Sequence, residues 1–318
     1  MRSIIVSNQP YVSVVFVLLT ALYQLPHFWL SQEALAEPET YAIPLPQQFI
    51  WVWILSAVSI TLGGITINRV VNQKEFHDTN SSLPGLVYII VASAFTYFGG
   101  NLSLLVANLA LIQAFDIVSR IFRQPRILHE SFAGSFWMGV ASLFFFPLLL
   151  GMATVLSVLT ITRTFNWREY LVGIIGFLVP WLWYESFLYI FDWEIPANIV
   201  AVTRSLDWQW TTWVIVSLFS LFTLAGLVSV LRSFSGSTNK SRNAKSIALT
   251  FSSILGFALL IASSFGFAVP VYLMCLPVAL ILPYYFLTRS YSPLHGALVI
   301  TLLLSPFIAV LHLLNGGL

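Results

Sequence analysis

Long apolar runs separated by short polar connectors recur along the whole chain. A helix needs about 20 residues to cross the ~30 Å hydrocarbon core of a bilayer, at ~1.5 Å of rise per residue. The runs therefore predict an all-α fold, a polytopic bundle of about eleven transmembrane helices that forms one membrane domain over residues 1–318. The predicted spans lie near residues 10–30, 48–67, 85–99, 101–118, 132–146, 148–162, 170–190, 210–231, 246–265, 270–288 and 294–314.

Two of the apolar runs contain an internal break. Residues 85–119 break at Gly99-Gly100-Asn101, and residues 132–162 break at Pro147, which removes an intrahelical hydrogen bond. We interpret both runs as short helical hairpins, with arms of about 15 residues that are shorter than the bilayer core. One kinked helix over 132–162 is the alternative, and it would move the arginines that follow it to the other side of the membrane.

Composition agrees with a membrane protein. Hydrophobic residues make up 58% of the chain and charged residues 8%, against about 25% charged residues in an average soluble domain. A soluble fold of this length could not cover its surface. The chain has one cysteine, Cys275, which excludes an intrachain disulfide and a cysteine-based metal cluster.

The charges predict the orientation of the bundle. Short cytoplasmic loops carry the Lys and Arg excess of a membrane protein. With the N-terminus in the cytoplasm and the C-terminus outside, only Arg204 of the 14 basic residues falls on the outer side. The outer loops then hold six of the 12 acids, namely Glu33, Glu37, Glu39, Asp192, Glu194 and Asp207.

The first apolar run has a second interpretation. Arg2, the run 11–22 and Ala34-Leu35-Ala36 loosely imitate a secretory signal peptide with its cleavage site. The bulky side chains at 26–29 and the length of the run favour an uncleaved first span instead.

Polar side chains inside the predicted spans are the first candidates for function, because an ionisable group is costly there. Asp116 and Arg120 are four residues apart on one helical face, which predicts a local ion pair near the cytoplasmic interface. Asn108, eight residues before Asp116, shares this face and predicts a polar seam between helices. Interhelical hydrogen bonding explains such a seam without any further function.

Glu185 lies about five residues inside the outer end of its predicted span and five residues after Pro180. A glutamate at this depth needs a partner or a water-filled cavity, and Pro180 frees a backbone carbonyl at mid-span. The alternative is a side chain that snorkels to the aromatic belt at the outer interface. On the sequence alone, the region around Pro180 and Glu185 is the best candidate for a functional site.

The predicted outer loop 31–47 holds Glu33, Glu37 and Glu39 close to the membrane. One of these carboxylates, or Glu185, is a candidate general base toward an outward-facing lipid-linked substrate. A merely solvated acidic loop is the alternative. On the cytoplasmic side, Arg120, Arg123 and Arg126 form a basic cluster that could bind anionic lipid head groups.

Other chemistry is not indicated. The five histidines show no metal-ligand spacing, and the chain has no P-loop, dinucleotide fingerprint or nucleophile elbow. We therefore expect no metal, no cofactor and no nucleic-acid partner.

Several segments resemble an uncharacterised family of Bacteroidota membrane proteins. The segments are Asn101–Asn108, Ser135–Pro147 and Asn166–Tyr170, the last leading to Gly176, Phe177 and Pro180. The resemblance covers about residues 85–190. It implies the inner membrane of a Gram-negative bacterium but no activity.

The pattern of a short hairpin, an Arg-rich cytoplasmic turn and a small-residue helix running into a Phe-Pro break is also similar to GT-C glycosyltransferases and polysaccharide polymerases. That resemblance implies polyprenyl-linked sugar substrates and an acidic residue in the first outer loop, where this chain has Glu33, Glu37 and Glu39. The Asp-rich motif of many GT-C enzymes is absent from the sequence.

Three functions follow as hypotheses. The first is a non-catalytic scaffold or accessory subunit of an envelope membrane complex, with membrane lipids and other envelope membrane proteins as partners. The second is a GT-C-like enzyme that uses a polyprenyl-phosphate carrier at the outer face. The third is a lipid or solute transporter, for which an inverted repeat is expected and none is visible.

Overall fold

A computed structural model describes residues 11–34, 49–77, 80–96, 102–121, 124, 126–162, 165–192, 210–264, 271–288, 300 and 303–307. These residues form helices and short connections. The α-helices are α1 Tyr11–Ala34, α2 Phe49–Gln73, α3 Leu83–Thr96, α4 Leu102–Val118, α5 Leu128–Phe144, α6 Met152–Thr162, α7 Trp167–Phe191, α8 Trp210–Ser233, α9 Asn239–Ser264 and α10 Cys275–Thr288. Two 3₁₀ helices, Phe146–Gly151 and Val271–Met274, precede α6 and α10.

Three helices are long and apolar enough to cross a membrane: Trp53–Gln73 in α2, Trp167–Phe191 in α7 and Asn239–Ile261 in α9. Shorter apolar helices of 10–17 residues lie in six other places along the described chain. The predicted all-helical, apolar architecture is therefore present in these parts of the chain.

Several helices exceed their predicted bounds. α2 continues to Gln73, six residues past the predicted end at 67, and α9 begins at Asn239 instead of 246. The early start of α9 follows from a local cap, since the backbone N–H of Ser241 donates to the hydroxyl of Thr238. Asn166 caps α7 in the same way through the N–H of Arg168. Hydrophobicity alone misses such ends because capped polar turns continue a helix beyond its apolar stretch.

The chain reverses direction between α5 and α6. Pro147 lies in the first turn of the 3₁₀ helix there, and a Cβ on Gly151 would lie 2.6 Å from the sulfur of Met138, so the chain folds back onto α5. α7 then runs parallel to α5: the Ser131 hydroxyl donates to the Glu169 carbonyl at one end of the pair. At the other end, the Trp181 indole donates to the Ser142 hydroxyl.

Close contacts also show which of the other helices pack against each other. A Cβ on Gly63 of α2 would lie 2.6 Å from the Tyr88 ring of α3, and the Asn72 side chain pairs with the backbone of Ser81 where the two helices connect. α10 packs against α8, where a Cβ on Gly226 would lie 2.6 Å from the Ile281 carbonyl oxygen. α2, α4, α6, α8 and α10 therefore all end on the side where α3, α5, α7 and α9 begin.

That side of the molecule carries all the Lys and Arg of the described residues, and we call it the basic end. Its members are Arg69, Lys74, Arg120, Arg126, Arg168, Arg232, Lys240, Arg242 and Lys245. The basic end also holds Glu75, Asp116, Glu130 and Glu169, whereas the described residues at the opposite end include Glu185 and Asp192 and no Lys or Arg, so the basic residues are confined to one end.

The surface of the bundle is strongly apolar while its interior is partly polar. Leu18 on α1 and Leu182 on α7 are more than 60% exposed, whereas Ser93, Asn108 and Ser135 are fully buried. Soluble proteins show the opposite tendency for large aliphatic and for amide side chains.

Candidate functional site

The carboxylate of Asp116 lies at the centre of the candidate site, near the end of α4. Its side chain is 2% exposed. The Arg69 guanidinium of α2 lies 3.4 Å from Oδ2, and the Arg120 guanidinium contacts the same oxygen from one turn further along the chain. The predicted pair between Asp116 and Arg120 is thus present, and a second arginine joins it from another helix.

The two arginines differ from the carboxylate in their exposure. The side chains of Arg69 and Arg120 are 51% and 47% exposed. A guanidinium has five N–H donors, and each of these two reaches Asp116 through one nitrogen, which leaves further donors directed outward. Asp116 therefore holds two guanidiniums side by side at the surface of the basic end.

A carboxylate oxygen held by two guanidiniums is poorly placed to take a proton from a substrate. Among the described residues, the other oxygen, Oδ1, has no hydrogen-bond partner, and it is buried. The arrangement suits Asp116 to positioning the arginines and not to general base catalysis.

Further charges extend the site beyond the end of α2. Burial lowers the pKa of Lys74, with a smaller lowering by Arg120 and Lys240 and an opposing effect of Asp116. The Lys240 ammonium donates to the Glu75 carboxylate at 2.6 Å, and both side chains are about half exposed. Lys74 thus shares the electrostatic environment of Asp116 and Arg120.

A buried cluster lies directly behind these charges. The rings of His77 and Tyr284 lie 4.5 Å apart, and the Lys245 ammonium lies 5.2 Å from the Tyr284 ring centre. The Tyr284 hydroxyl donates to the Phe76 carbonyl, and Lys245 donates to Ser237. Within the described part of the chain, neither ring nitrogen of His77 has a hydrogen-bond partner. Burial, with a smaller effect of the nearby Lys245, lowers the pKa of His77 to about 3, so His77 is neutral near pH 7.

Asn108 lies deeper in α4, on the face that it shares with Asp116. Its side-chain N–H donates to the Tyr88 hydroxyl of α3 at 3.0 Å, with Tyr272 close to both residues. The predicted seam is therefore an interhelical hydrogen bond for Asn108 and an ion-pair cluster for Asp116.

Glu185 has a different position from the one that a cavity-lining role requires. It is exposed on the surface of α7, and so are Leu178 and Leu182 on the same helical face. The expectation that it lines a cavity in the bundle is therefore not met; the side chain is exposed near the end of α7 that lies opposite the basic end. Pro180 faces α5 instead, 3.1 Å from the position of a Cβ on Gly139.

Several predicted site residues cannot be placed. Glu37, Glu39 and Arg123 lie outside the described residues, and for Glu33 the backbone alone is described, in the last turn of α1. Arg126 is exposed just before α5. In the described ranges no group of three His, Cys, Asp or Glu residues is arranged to hold a metal ion.

The sequence alone missed Arg69 and His77 as members of the site. Both lie in a segment that the hydrophobic pattern assigned to a connector, 68–83, and their partners are distant along the chain. An arginine near the end of a predicted span was an available signal, but its partner Asp116 is 47 residues away.

No protein-family model, curated protein or solved structure matches this chain.

Proposed function

We propose that the chain is a multi-pass protein of a bacterial inner membrane with about eleven spans, its basic end and N-terminus in the cytoplasm and its C-terminus outside. The apolar surface and the three long apolar helices support membrane insertion. The collection of basic residues at one end supports this orientation through the positive-inside rule.

Cysteine labelling tests the orientation. In a Cys275→Ala background, Lys240→Cys at the basic end and Asp192→Cys at the opposite end each supply one thiol. A membrane-impermeant maleimide is expected to label Asp192→Cys in intact cells and Lys240→Cys only after lysis. The reverse pattern contradicts the orientation.

Within that membrane, the favoured function is a non-catalytic scaffold or accessory subunit of an envelope complex, with membrane lipids and other envelope membrane proteins as its partners. One observation carries this proposal: polar contacts inside the described bundle join helices to one another. Asn108 bonds to Tyr88 of the preceding helix, Asp116 pairs with Arg69 of α2, and the Trp181 indole of α7 donates to Ser142 of α5. These contacts have a structural role that a scaffold requires.

Four conservative variants test this function against a GT-C-like enzyme, in which an outer carboxylate would be the base. Glu33→Gln, Glu37→Gln, Glu39→Gln and Glu185→Gln are expected to leave envelope glycans and growth unchanged, because a scaffold needs none of these carboxylates. Loss of an envelope glycan in one variant that still inserts normally would overturn the scaffold proposal.

Mass spectrometry of the protein, purified gently in detergent, supplies the second readout. A stoichiometric membrane-protein partner together with ordinary phospholipids is expected. Enrichment of a polyprenyl phosphate or its sugar conjugate supports the enzyme instead, and enrichment of a different small solute supports a transporter.

A further inference from the structure

Arg69 and Arg120, which flank Asp116, each lie at the end of a row of exposed or partly exposed side chains on one helix face. We call each row a stripe, and the two stripes lie on the neighbouring helices α2 and α4. On α2, the exposed positions Leu55, Val58 and Leu62 lead to Arg69 at intervals of three, four and seven residues, which keeps them on one face. Arg69 is therefore in line with side chains that face the hydrocarbon in the proposed membrane.

α4 repeats this arrangement. Val106, Leu109, Gln113 and Ile117 are partly exposed on a helix whose other described side chains are buried, and the same face ends at Arg120. α2 and α4 run side by side, since Asp116 joins their ends through Arg69. The two stripes thus approach the paired guanidiniums from the same direction.

The depth of the site matches a lipid phosphate. Arg69 lies four residues before the end of the apolar helix Trp53–Gln73, about 6 Å along the helix axis at ~1.5 Å per residue. At this depth the hydrocarbon gives way to the head-group layer, and arginine side chains extend toward that layer.

The charge of the site also favours an anion. Arg69 and Arg120 both contact the single carboxylate of Asp116, and Lys74, five residues after Arg69 in the chain, is close enough to feel its charge, so three positive charges lie near one negative charge. Glu75 lies close by but is paired with Lys240. Outward-directed guanidinium donors and a partly buried ammonium are the groups that recognise phosphate oxygens.

We propose that Arg69, Arg120 and Lys74 form a specific site for an anionic phospholipid of the cytoplasmic leaflet, with Asp116 holding both guanidiniums in place. The phosphate lies on the two guanidiniums, and the acyl chains lie along the stripes of α2 and α4. The site rests on the proposed membrane insertion and on the basic end facing the cytoplasm. It differs from a general basic surface because its arginines are fixed by a buried carboxylate.

Native mass spectrometry of the full-length protein in detergent tests the site. Phosphatidylglycerol and phosphatidylcholine are added at equal concentration, and the ratio of their bound populations is measured. The wild-type protein is expected to prefer phosphatidylglycerol. Each guanidinium removed lowers this ratio about fivefold, so Arg69→Gln with Arg120→Gln lowers it about 30-fold.

Two further variants keep the result interpretable. Adding Asp116→Asn to the double variant avoids an unpaired buried carboxylate and is expected to show the same loss of preference in a folded protein. Arg168→Gln with Arg242→Gln removes two exposed charges elsewhere at the basic end and is expected to keep the wild-type ratio.

Three results would overturn the lipid site: an unchanged ratio in the triple variant, an equal loss in the control variant, or displacement of bound phosphatidylglycerol by inorganic phosphate. The last result would assign the site to a free phosphate. The experiment is independent of orientation because it is done in detergent, so its failure is distinguishable from a failure of cysteine labelling in cells.

Discussion

The α5–α7 pair and the α2–α4 pair are joined in two different ways. α5 and α7 meet through small residues, and the position of a Cβ on Gly176 is 2.5 Å from the Phe132 carbonyl oxygen. α2 and α4 meet at the basic end through Arg69 and Asp116, and Arg120 contacts the same carboxylate from the turn that follows α4. The first join depends on the size of side chains, and the second depends on their charge.

This difference shows how one bundle holds its helices together in an apolar interior and at a charged end. In the apolar interior, close backbone approach and hydroxyl hydrogen bonds join helices without any charge. Near the interface, water and head groups reduce the penalty for charge, so an ion-pair cluster is tolerated. The α5–α7 join is expected to be sensitive to larger side chains and insensitive to loss of charge. The α2–α4 join is expected to show the reverse.

Enlarging Gly176 should have the largest effect. Gly176→Leu forces side-chain atoms into the Phe132 backbone and is expected to lower the free energy of unfolding by at least about 3 kcal/mol. Titration with SDS in mixed micelles, followed by tryptophan fluorescence, measures this loss. Gly236→Leu is the matched control, because a Cβ there has nothing within 4 Å. Equal stability of the two variants would show that α5 and α7 are not closely packed.

Removing the arginines tests the charged join. Arg69→Gln with Arg120→Gln leaves the Asp116 carboxylate buried without a cation, at an expected loss of about 2 kcal/mol, because the site is partly open to solvent. Adding Asp116→Asn should restore most of this stability in the same SDS titration. If the triple variant is no more stable than the double variant, charge does not join α2 to α4.

The pH dependence of stability sharpens the contrast. The pKa of His77 is about 3 in the folded protein and near 6.5 when unfolded, so the unfolded chain binds the extra proton between these values. Stability should therefore fall as pH decreases from 6.5 toward 3, with His77 contributing up to about 1.4 kcal/mol per pH unit. His77→Leu should flatten this slope, whereas Ser142→Ala in the α5–α7 join should leave it unchanged. The groups that face His77 are Phe76, Tyr284 and Lys245, and an unaltered slope in His77→Leu would assign the pH dependence elsewhere.

The exposed pair of Lys240 and Glu75 should matter least. Their side chains are 45% and 56% exposed, and such ion pairs contribute about 0.5 kcal/mol or less. Lys240→Ala, Glu75→Ala and the double variant form a cycle that isolates their coupling. A coupling above about 1 kcal/mol would mean that this pair is part of the charged join.

Residue spacing within a single helix was enough to predict part of the candidate site. The contact between Asp116 and Arg120 follows from four residues on one helix, and the buried position of Asn108 follows from sharing the face of Asp116. Arg69 could not be paired with Asp116 in this way, because the contact depends on how α2 packs against α4.

The sequence also did not show which face of a helix is turned toward the core. Glu185 shares a face with Leu178 and Leu182, and apolar residues are expected both in the core and against lipid. Hydrophobicity alone therefore cannot tell which face of α7 is turned outward. A better signal was available for α5, where Ser131, Ser135 and Gly139 recur every four residues, a spacing typical of close helix contacts in membranes.

The parallel alignment of α5 and α7 has a consequence for biosynthesis. Ser142 and its partner Trp181 are 39 residues apart, so α5 leaves the ribosome well before α7 exists. At about 5–20 residues per second, α5 waits about 2–8 s for its partner. During that interval the Ser131 hydroxyl lacks the Glu169 carbonyl and the Trp181 indole is not yet made, while the Ser142 hydroxyl already donates to the Gly139 carbonyl within α5. In the proposed membrane, α5 therefore spends this interval without the helix that later covers its small polar residues.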